Sequence, residues 1–200
     1  MLTFGVFCAN ITCCSLTIQK GGTRAMFIHL LAGSLVFLLF GKVFDFEVGR
    51  MYLLLGAFWG IVPDPISYIL SWAVKFNKWS HTHRDNFSHS VFFSGIVLFI
   101  AILLDYKMAI AVGVAMLTHP LLDLVGIGWG VKLFHPFSKK TYKMFYKGRI
   151  LTVWNQDEVD AEAGKFGDDD WIRNIYFRPN VVGASEWLSL AGFLLLVAMH

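Results

Sequence analysis

Long apolar runs alternate with short polar segments along most of the chain. Five runs resemble membrane-spanning helices, namely residues 26–40, 51–74, about 89–104, about 108–125 and 181–199. A helix needs about 20 apolar residues to cross a bilayer, with some tolerance for tilt. The pattern therefore predicts an all-α polytopic membrane protein with about five transmembrane helices. The first and third runs are short, so four or six spans also fit.

Two segments break this pattern. Residues 126–180 are more polar, and residues 131–154 mix aromatic, β-branched and lysine residues, which predicts short strands or a hairpin. We interpret this segment as a small extramembrane insert within a single membrane domain of residues 26–200. Residues 1–25 hold all three cysteines and have no clear role. The odd number of cysteines argues against a disulfide framework.

Composition and charge support a lipid environment and give an orientation. The chain of 200 residues is 56% hydrophobic and only 16% charged, against about 25% in soluble domains. Its net charge of +3 does not predict nucleic-acid binding. With five spans, all but three of the 17 basic residues fall on one side. That side, which holds the insert, is predicted to be cytoplasmic in the cell membrane, next to anionic lipids.

Histidines gather at this predicted cytoplasmic side. They are His29, His81, His83, His89, His119 and His135. Asp123 lies near the end of the fourth run, and Asp64 interrupts the second within Pro63-Asp64-Pro65. If these prolines end that span early, Asp64 reaches the same side and residues 66–79 form an interfacial helix. Ionisable groups in a membrane usually mark a functional site, and imidazole with carboxylate suits zinc, manganese, iron or nickel.

Two spacings narrow the cluster. His119 and Asp123 are four residues apart, on one helical face, so they could share an ion, or Asp123 could orient His119. His83 lies in a loop and His89 begins a helix, with Ser88 as the expected helix N-cap. Other members are weaker candidates. His29 alone fits an interfacial polar residue, His81 and His135 could be surface residues, and Asp168-Asp169-Asp170 fits a solvated loop.

The order of these motifs resembles a known family. The motifs are H-x-x-x-G at His29 and Gly33, PD at Pro63-Asp64, HR with SHS at residues 83–84 and 88–90, H-x-x-x-D at His119 and Asp123, and PFS at 136–138. Over residues 26–140 the chain is similar to the predicted membrane-bound metal-dependent hydrolases of the YdjM type. This resemblance implies a helical membrane fold with a metal site. The chain departs from the family at Ile66, where a second acid is common, so a ligand is missing or His81 replaces it.

These observations together predict a membrane-embedded metal-dependent hydrolase with its site at the cytoplasmic face. The expected ligands of one or two divalent ions, zinc or manganese first, are Asp64, His83, His89, His119 and Asp123, with His29 as a ligand or a partner of one. Asp64 and His83 also count as catalytic candidates, and Arg84 could stabilise an oxyanion or phosphoryl group. A lipid or phosphoester is the expected substrate. The alternative is a non-enzymatic protein with a structural or transport-related metal site.

Overall fold

The computed structural model describes residues 26–71, 83–126, 128–166, 176–177 and 181–200, apart from the side chains of residues 162–166. In this part of the chain the elements are α1 (Phe27–Phe44), α2 (Arg50–Ile61), α3 (Pro63–Leu70), α4 (Val91–Leu103), α5 (Lys107–Val125), β1 (Thr141–Tyr146), β2 (Arg149–Trp154), α6 (Gln156–Phe166) and α7 (Val181–Met199). Two 3-10 turns, His83–Asp85 and Phe87–His89, precede α4. Residues 1–25, His81 and Asp168-Asp169-Asp170 lie outside the described residues.

The helical membrane architecture is confirmed, but the number of five spans is not. Among the described residues, α1, α5 and α7 are long and apolar enough to cross a membrane. The pair α2 and α3 adds a fourth span if it counts as one helix bent by 40°. The remaining apolar run forms α4, which has only 13 residues. The fifth span therefore stays a prediction.

The bend between α2 and α3 follows from the prolines. Pro63 occupies the first position of α3, where its missing N–H costs nothing, and its ring prevents a regular continuation of α2. The axis therefore turns at Val62, and Asp64 lies in the first turn of α3. The sequence predicts an interfacial helix over residues 66–79. The structure describes this range only as far as Ser71, and it is helical up to Leu70. Its interfacial position stays a prediction.

Glycines bring α1 and α2 into close contact. A Cβ atom at Gly33 would overlap the carbonyl oxygen of Gly56, and one at Gly56 would overlap that of Gly33. A Cβ atom at Gly60 would overlap the carbonyl oxygen of His29. Small residues at such positions allow the backbones of membrane helices to touch. This contact sets the start of α1 beside the end of α2.

The rest of the bundle forms around α1. Helices α2, α5 and α7 pack against α1, and α4 packs against α5. Phe37, Ala111 and Ala115 form the buried core between α1 and α5. Large apolar side chains on the outer faces, such as Leu39, Phe99 and Leu194, stay more than half exposed. In lipid such an outer surface carries no penalty.

The insert contains the predicted hairpin. Strands β1 and β2 are antiparallel, with Tyr146 opposite Arg149 and Lys143 opposite Thr152. The two connecting residues, Lys147 and Gly148, both have positive φ, as a two-residue type I′ turn requires. An isolated bridge between Val131 and Tyr142 ties β1 to the segment after α5. The hairpin is thereby fixed at the end of the bundle where α5 ends.

Candidate metal site

The sequence-predicted site residues converge at one end of the bundle. Helices α1, α4 and α7 begin there, and α2 and α5 end there. His29 lies in the first turn of α1, Asp64 in the first turn of α3, and His119 and Asp123 in the last turns of α5. His83 and His89 lie in the two 3-10 turns before α4. Helix ends that meet at one level bring together residues far apart in sequence.

Three donor atoms form the centre of the cluster. The Nε2 atoms of His89 and His119 are 3.2 Å apart. Oδ1 of Asp64 lies 3.3 Å from Nε2 of His89 and 3.8 Å from Nε2 of His119. Ligands at 2.0–2.1 Å from a tetrahedral zinc ion are separated by roughly 3.3 Å. The spacing of these three atoms therefore fits ligands that share one divalent ion.

Asp123 supplies a fourth donor atom, which is an oxygen. Its Oδ2 atom lies 3.7 Å from Nε2 of His119 and 3.8 Å from Nε2 of His89. This oxygen is buried and has no hydrogen-bond partner among the described residues. The other oxygen, Oδ1, accepts a 2.7 Å ion-pair contact from Nη2 of Arg84. A buried acceptor without a partner needs an explanation, and a cation between the two imidazoles and this carboxylate provides one.

The bend of α2 fixes the orientation of His119. The Nδ1 atom of His119 lies 2.8 Å from the carbonyl oxygen of Gly60. Because a carbonyl oxygen can only accept, Nδ1 carries the hydrogen and donates this hydrogen bond. The lone pair of the neutral ring is then on Nε2, which faces His89 and Asp64. Metal-binding histidines are commonly held by such a bond from the other ring nitrogen. The Gly60 carbonyl lies two residues before the bend at Val62, so the end of α2 supplies the acceptor that orients His119.

His29 and His83 lie at the edges of the cluster. The ring of His29 stacks on that of His119 with centroids 3.9 Å apart, and its Nε2 atom lies 3.8 Å from Oδ1 of Asp123. The Nε2 atom of His83 lies 4.0 Å from Oδ1 of Asp64. Two triads could each hold an ion: Asp64, His89 and His119 form one, and His29, His119 and Asp123 form the other. Because the triads share His119, the geometry favours one ion at a time.

The loop that carries His83 and His89 is anchored on α3. Ser67 donates a 2.9 Å hydrogen bond to the carbonyl oxygen of His83, and Asn86 donates to the hydroxyl of Ser67 at 2.7 Å. The N-cap prediction for Ser88 was wrong. Ser90 caps α4 by accepting from the N–H of Phe93, whereas the hydroxyl of Ser88 lies 3.2 Å from Nδ1 of His89. Ser88 therefore contacts the ring of His89 and does not cap α4.

Of the other histidines, the structure describes His135 and His200, and neither joins the cluster. His135 packs near the ring of Phe87 and belongs to neither donor triad. His200 contacts the carbonyl oxygen of Leu196 at the far end of α7. His81, the proposed replacement for the acid expected at position 66, lies outside the described residues.

Glu186 is a site neighbour that the sequence interpretation missed. This buried carboxylate on α7 accepts a 2.7 Å hydrogen bond from the N–H of Phe27 and a longer one from the hydroxyl of Tyr176. It thereby caps the start of α1, two residues from His29. A single acidic residue within the last apolar run was the available signal, because ionisable groups in spans are rarely idle.

Lys143 is a second missed neighbour. Its side chain is buried, and its ammonium donates to the carbonyl oxygen of Gly126, which follows the last turn of α5. Burial is the main cause that lowers the pKa of this ammonium to about 7; the nearby charge of Arg84 also lowers it, and the charge of Asp123 raises it by less. In the sequence Lys143 is one of several lysines in the insert, so nothing distinguished it from its exposed neighbours Lys139 and Lys140.

The fold and the cluster define a class of protein: a helical integral membrane protein with buried His/Asp groups that could hold a metal ion. Residues 25–199 match the family model described as YdjM inner membrane protein. Because the match covers most of the chain, the protein belongs to this family, and the suspected relationship is confirmed. No curated protein and no solved structure matches the chain.

Proposed function

We propose that the protein is a membrane-embedded metal-dependent hydrolase that acts on a lipid or another phosphoester at the cytoplasmic face. One observation carries the proposal: Oδ1 of Asp64 and Oδ2 of Asp123 each lie 3.3–3.8 Å from the Nε2 atoms of His89 and His119, which are themselves 3.2 Å apart. This mixed nitrogen and oxygen set suits zinc or manganese. When bound, such an ion lowers the pKa of a coordinated water toward about 7 and polarises the scissile bond.

The surrounding residues have distinct parts in this chemistry. The side chain of Asp64 is 19% exposed, whereas those of His89, His119 and Asp123 are at most 3% exposed, so a substrate reaches the cluster past Asp64. His83 stands beside Asp64, where it can exchange a proton with a bound group through a water. Arg84 holds Asp123 with one of its five donors, and its charge favours an anionic reaction centre.

The depth of the cluster supports a lipid substrate. Exposed charged residues mark the opposite end of the bundle, among them Lys42 and Lys107. Lys42 lies thirteen positions after His29 in α1, and His119 lies twelve positions after Lys107 in α5. At 1.5 Å per residue these stretches span about 18–20 Å, against a hydrocarbon core of about 30 Å. These distances support a position of the imidazoles inside the hydrocarbon core, below its edge at the cluster end. A lipid bound in the bilayer would reach them there directly.

The distribution of buried charge argues against a permeation path. Among the described residues, every buried ionisable side chain lies at the end of the bundle where the cluster is; these are His29, His83, Arg84, His89, His119, Asp123, Lys143 and Glu186. An ion path would need polar groups along the whole membrane depth. The positive-inside bias supports assigning this end to the cytoplasm.

The test combines metal analysis with turnover. We expect the purified full-length protein to contain close to one equivalent of zinc or manganese, and to release a product from at least one member of a panel of phospholipids and soluble phosphoesters. Asp64→Ala should abolish the turnover, and His200→Ala, at the far end of α7, should leave it unchanged. Absence of bound metal would refute the proposal. Bound metal without turnover on the whole panel would favour the structural alternative.

A further inference from the structure

The buried face of the hairpin is polar. Thr141 and Lys143 alternate along β1, and Thr152 pairs with Lys143 across the strands, so the three side chains share one face of the sheet. All three are buried, at 1%, 3% and 7% exposure. The hydroxyl oxygens of Thr141 and Thr152 have no hydrogen-bond partner among the described residues. A hairpin needs no such face for stability, because apolar side chains of the same size would pack there without loss.

This face is held next to Arg84 and Asp123. The N–H of Lys132 donates to the carbonyl oxygen of Arg84, and Val131 exchanges two backbone hydrogen bonds with Tyr142, next to Lys143. The ammonium of Lys143 is bonded to Gly126, three residues beyond Asp123, and is influenced by the charges of Arg84 and Asp123. The backbone therefore places two cations beside a single carboxylate.

The local charge is unbalanced. Asp123 offers one negative charge, which its 2.7 Å contact with Arg84 already engages, while the charge of Lys143 has only a carbonyl oxygen as its bonded partner among the contacts described. A divalent ion in the neighbouring cluster would add two further positive charges, of which Asp64 balances one. Buried charges are stable only when they are paired. A bound anion would provide the missing negative charge.

The depth of Lys143 matches that of a phosphate group. Gly126 lies nineteen positions after Lys107, which corresponds to about 28 Å along a helix. Because the ammonium of Lys143 is bonded to Gly126, it lies about this far from the opposite end of the bundle. This distance is close to the thickness of the hydrocarbon core, about 30 Å, beyond which phospholipid headgroups begin. By this measure the ammonium of Lys143 is nearer to the headgroups than the imidazoles of the metal cluster are.

We propose that Lys143, Arg84 and the hydroxyls of Thr141 and Thr152 form a subsite for a phosphate group on the substrate. This inference rests on the proposed function, and it narrows the substrate to an ester that carries a phosphate beside the bond to be cleaved. The cations neutralise the phosphate charge, and the two hydroxyls donate to its oxygens. The group can come from a lipid headgroup or from a soluble phosphoester.

The experiment measures phosphate binding by the full-length protein in detergent with inorganic phosphate as the probe, both with and without added zinc. Lys143→Gln should weaken binding about tenfold or more in both conditions, since the cations belong to the chain itself. Lys140→Gln, which changes an exposed lysine of the same segment, should not. If Lys143→Gln binds phosphate as tightly as the wild type, the subsite does not exist, whatever the result for metal binding.

The threonines separate binding from folding. Thr141→Val with Thr152→Val removes two hydroxyls that bond to nothing among the described residues, so thermal stability should hold or rise while phosphate affinity falls severalfold. Thr118→Val, whose hydroxyl is bonded within α5, is the matched control for phosphate affinity. Unchanged phosphate affinity in the double variant would exclude the hydroxyls from the subsite.

Two further measurements complete the test. If Lys143→Gln does not fold, NMR of the wild type replaces it. The lysine ¹³Cε signal that is absent from the spectrum of Lys143→Arg is assigned to Lys143. This signal should shift when phosphate is added, and an unchanged signal would overturn the proposal. Nanodiscs that contain phosphatidic acid, compared with soluble glycerol phosphate, then distinguish a lipid headgroup from a soluble ester. Displacement of the probe by only one of them identifies the source, and displacement by neither would contradict a substrate subsite.

Discussion

The two ends of the bundle treat charge in opposite ways. At the end opposite the cluster, charged residues such as Arg50, Asp105 and Lys107 are exposed, and an apolar groove of about 440 Å³ lies between α2, α4 and α5. At the cluster end, two aspartates, four histidines, an arginine and a lysine meet in the interior. Water solvates the charged side chains at the first end, whereas the buried charges at the second end are stable only when they pair with one another or with a ligand. This contrast is the reason for assigning the proposed function to the cluster end.

The largest expected effect is the loss of metal affinity at the cluster end. Replacing His119 with alanine removes the donor that both triads share. We expect zinc affinity to fall more than about 100-fold, since even partners of ligands are worth 10–100-fold. Lys107→Ala, at the other end of the same helix, should leave the affinity unchanged. Isothermal titration of both variants with zinc measures the difference, and similar affinities would remove the distinction between the ends.

The next effect is on stability. Asp123→Asn removes the carboxylate charge that contacts the buried Arg84 at 2.7 Å, which should cost about 3–5 kcal/mol in unfolding free energy in the metal-free protein. Asp105→Asn is the matched change at the opposite end, where the residue is exposed and has positive φ, a conformation that asparagine tolerates well. Its cost should be close to zero. Denaturant unfolding in detergent compares the two variants, and equal losses would contradict the account of Arg84.

The glycine contact between α1 and α2 gives a smaller, purely steric comparison. Gly60→Ala places a methyl group against the carbonyl oxygen of His29 and should destabilise the protein by about 1–3 kcal/mol. Gly95→Ala on α4 meets no atom within 4 Å and should be neutral or slightly stabilising. Apparent melting temperatures of the two variants test this. A stable Gly60→Ala variant would mean that the two helices do not need this close approach.

Glu186 is expected to contribute about as much as an ordinary helix cap. Glu186→Ala removes the acceptor of the Phe27 N–H and should cost about 1 kcal/mol. Because His29 lies in the helix turn that Glu186 caps, zinc affinity should also fall a few-fold. Ser185→Ala, an exposed neighbour on α7, serves as the control. A Glu186→Ala protein that keeps full stability and full zinc affinity would show that the cap is dispensable.

The last comparison concerns the pH dependence of stability that Lys143 causes. Its pKa is lowered to about 7 in the folded protein, whereas an unfolded lysine titrates near 10.4. Between these values the unfolded state binds the extra proton, so the contribution of Lys143 to stability rises with pH from about 7 to about 10. Lys143→Met should lose this rise. Melting curves at pH 6.5 and pH 9 check it, and identical pH slopes in both proteins would rule out a titrating Lys143.

Parts of this molecule follow directly from sequence patterns. The apolar runs predict membrane helices, and the aromatic and β-branched residues of the insert predict the hairpin that β1 and β2 form. The histidine and aspartate motifs name residues that the fold does bring together. Hydropathy did not establish the number of spans, because the Pro63-Asp64-Pro65 break splits one run and α4 is too short for the length rule.

The neighbours of the cluster could not be predicted in the same way. The cap at Glu186 and the hydrogen bond from His119 to Gly60 depend on which helix ends meet, which no local pattern encodes. Lys143 is even less visible, because only the register of the hairpin turns it inward while adjacent lysines face out. Long-range contacts decide which polar residues serve the site.

The most direct test of the central claim is the X-ray absorption spectrum of the zinc-loaded full-length protein at the zinc edge. The account predicts a shell of nitrogen and oxygen ligands at about 2.0–2.1 Å, with the outer scattering of two imidazoles from His89 and His119 and no sulfur. Loss of the imidazole scattering in His119→Ala would complete the assignment. A sulfur shell near 2.3 Å, which would assign the zinc to the cysteines of residues 1–25, would contradict it.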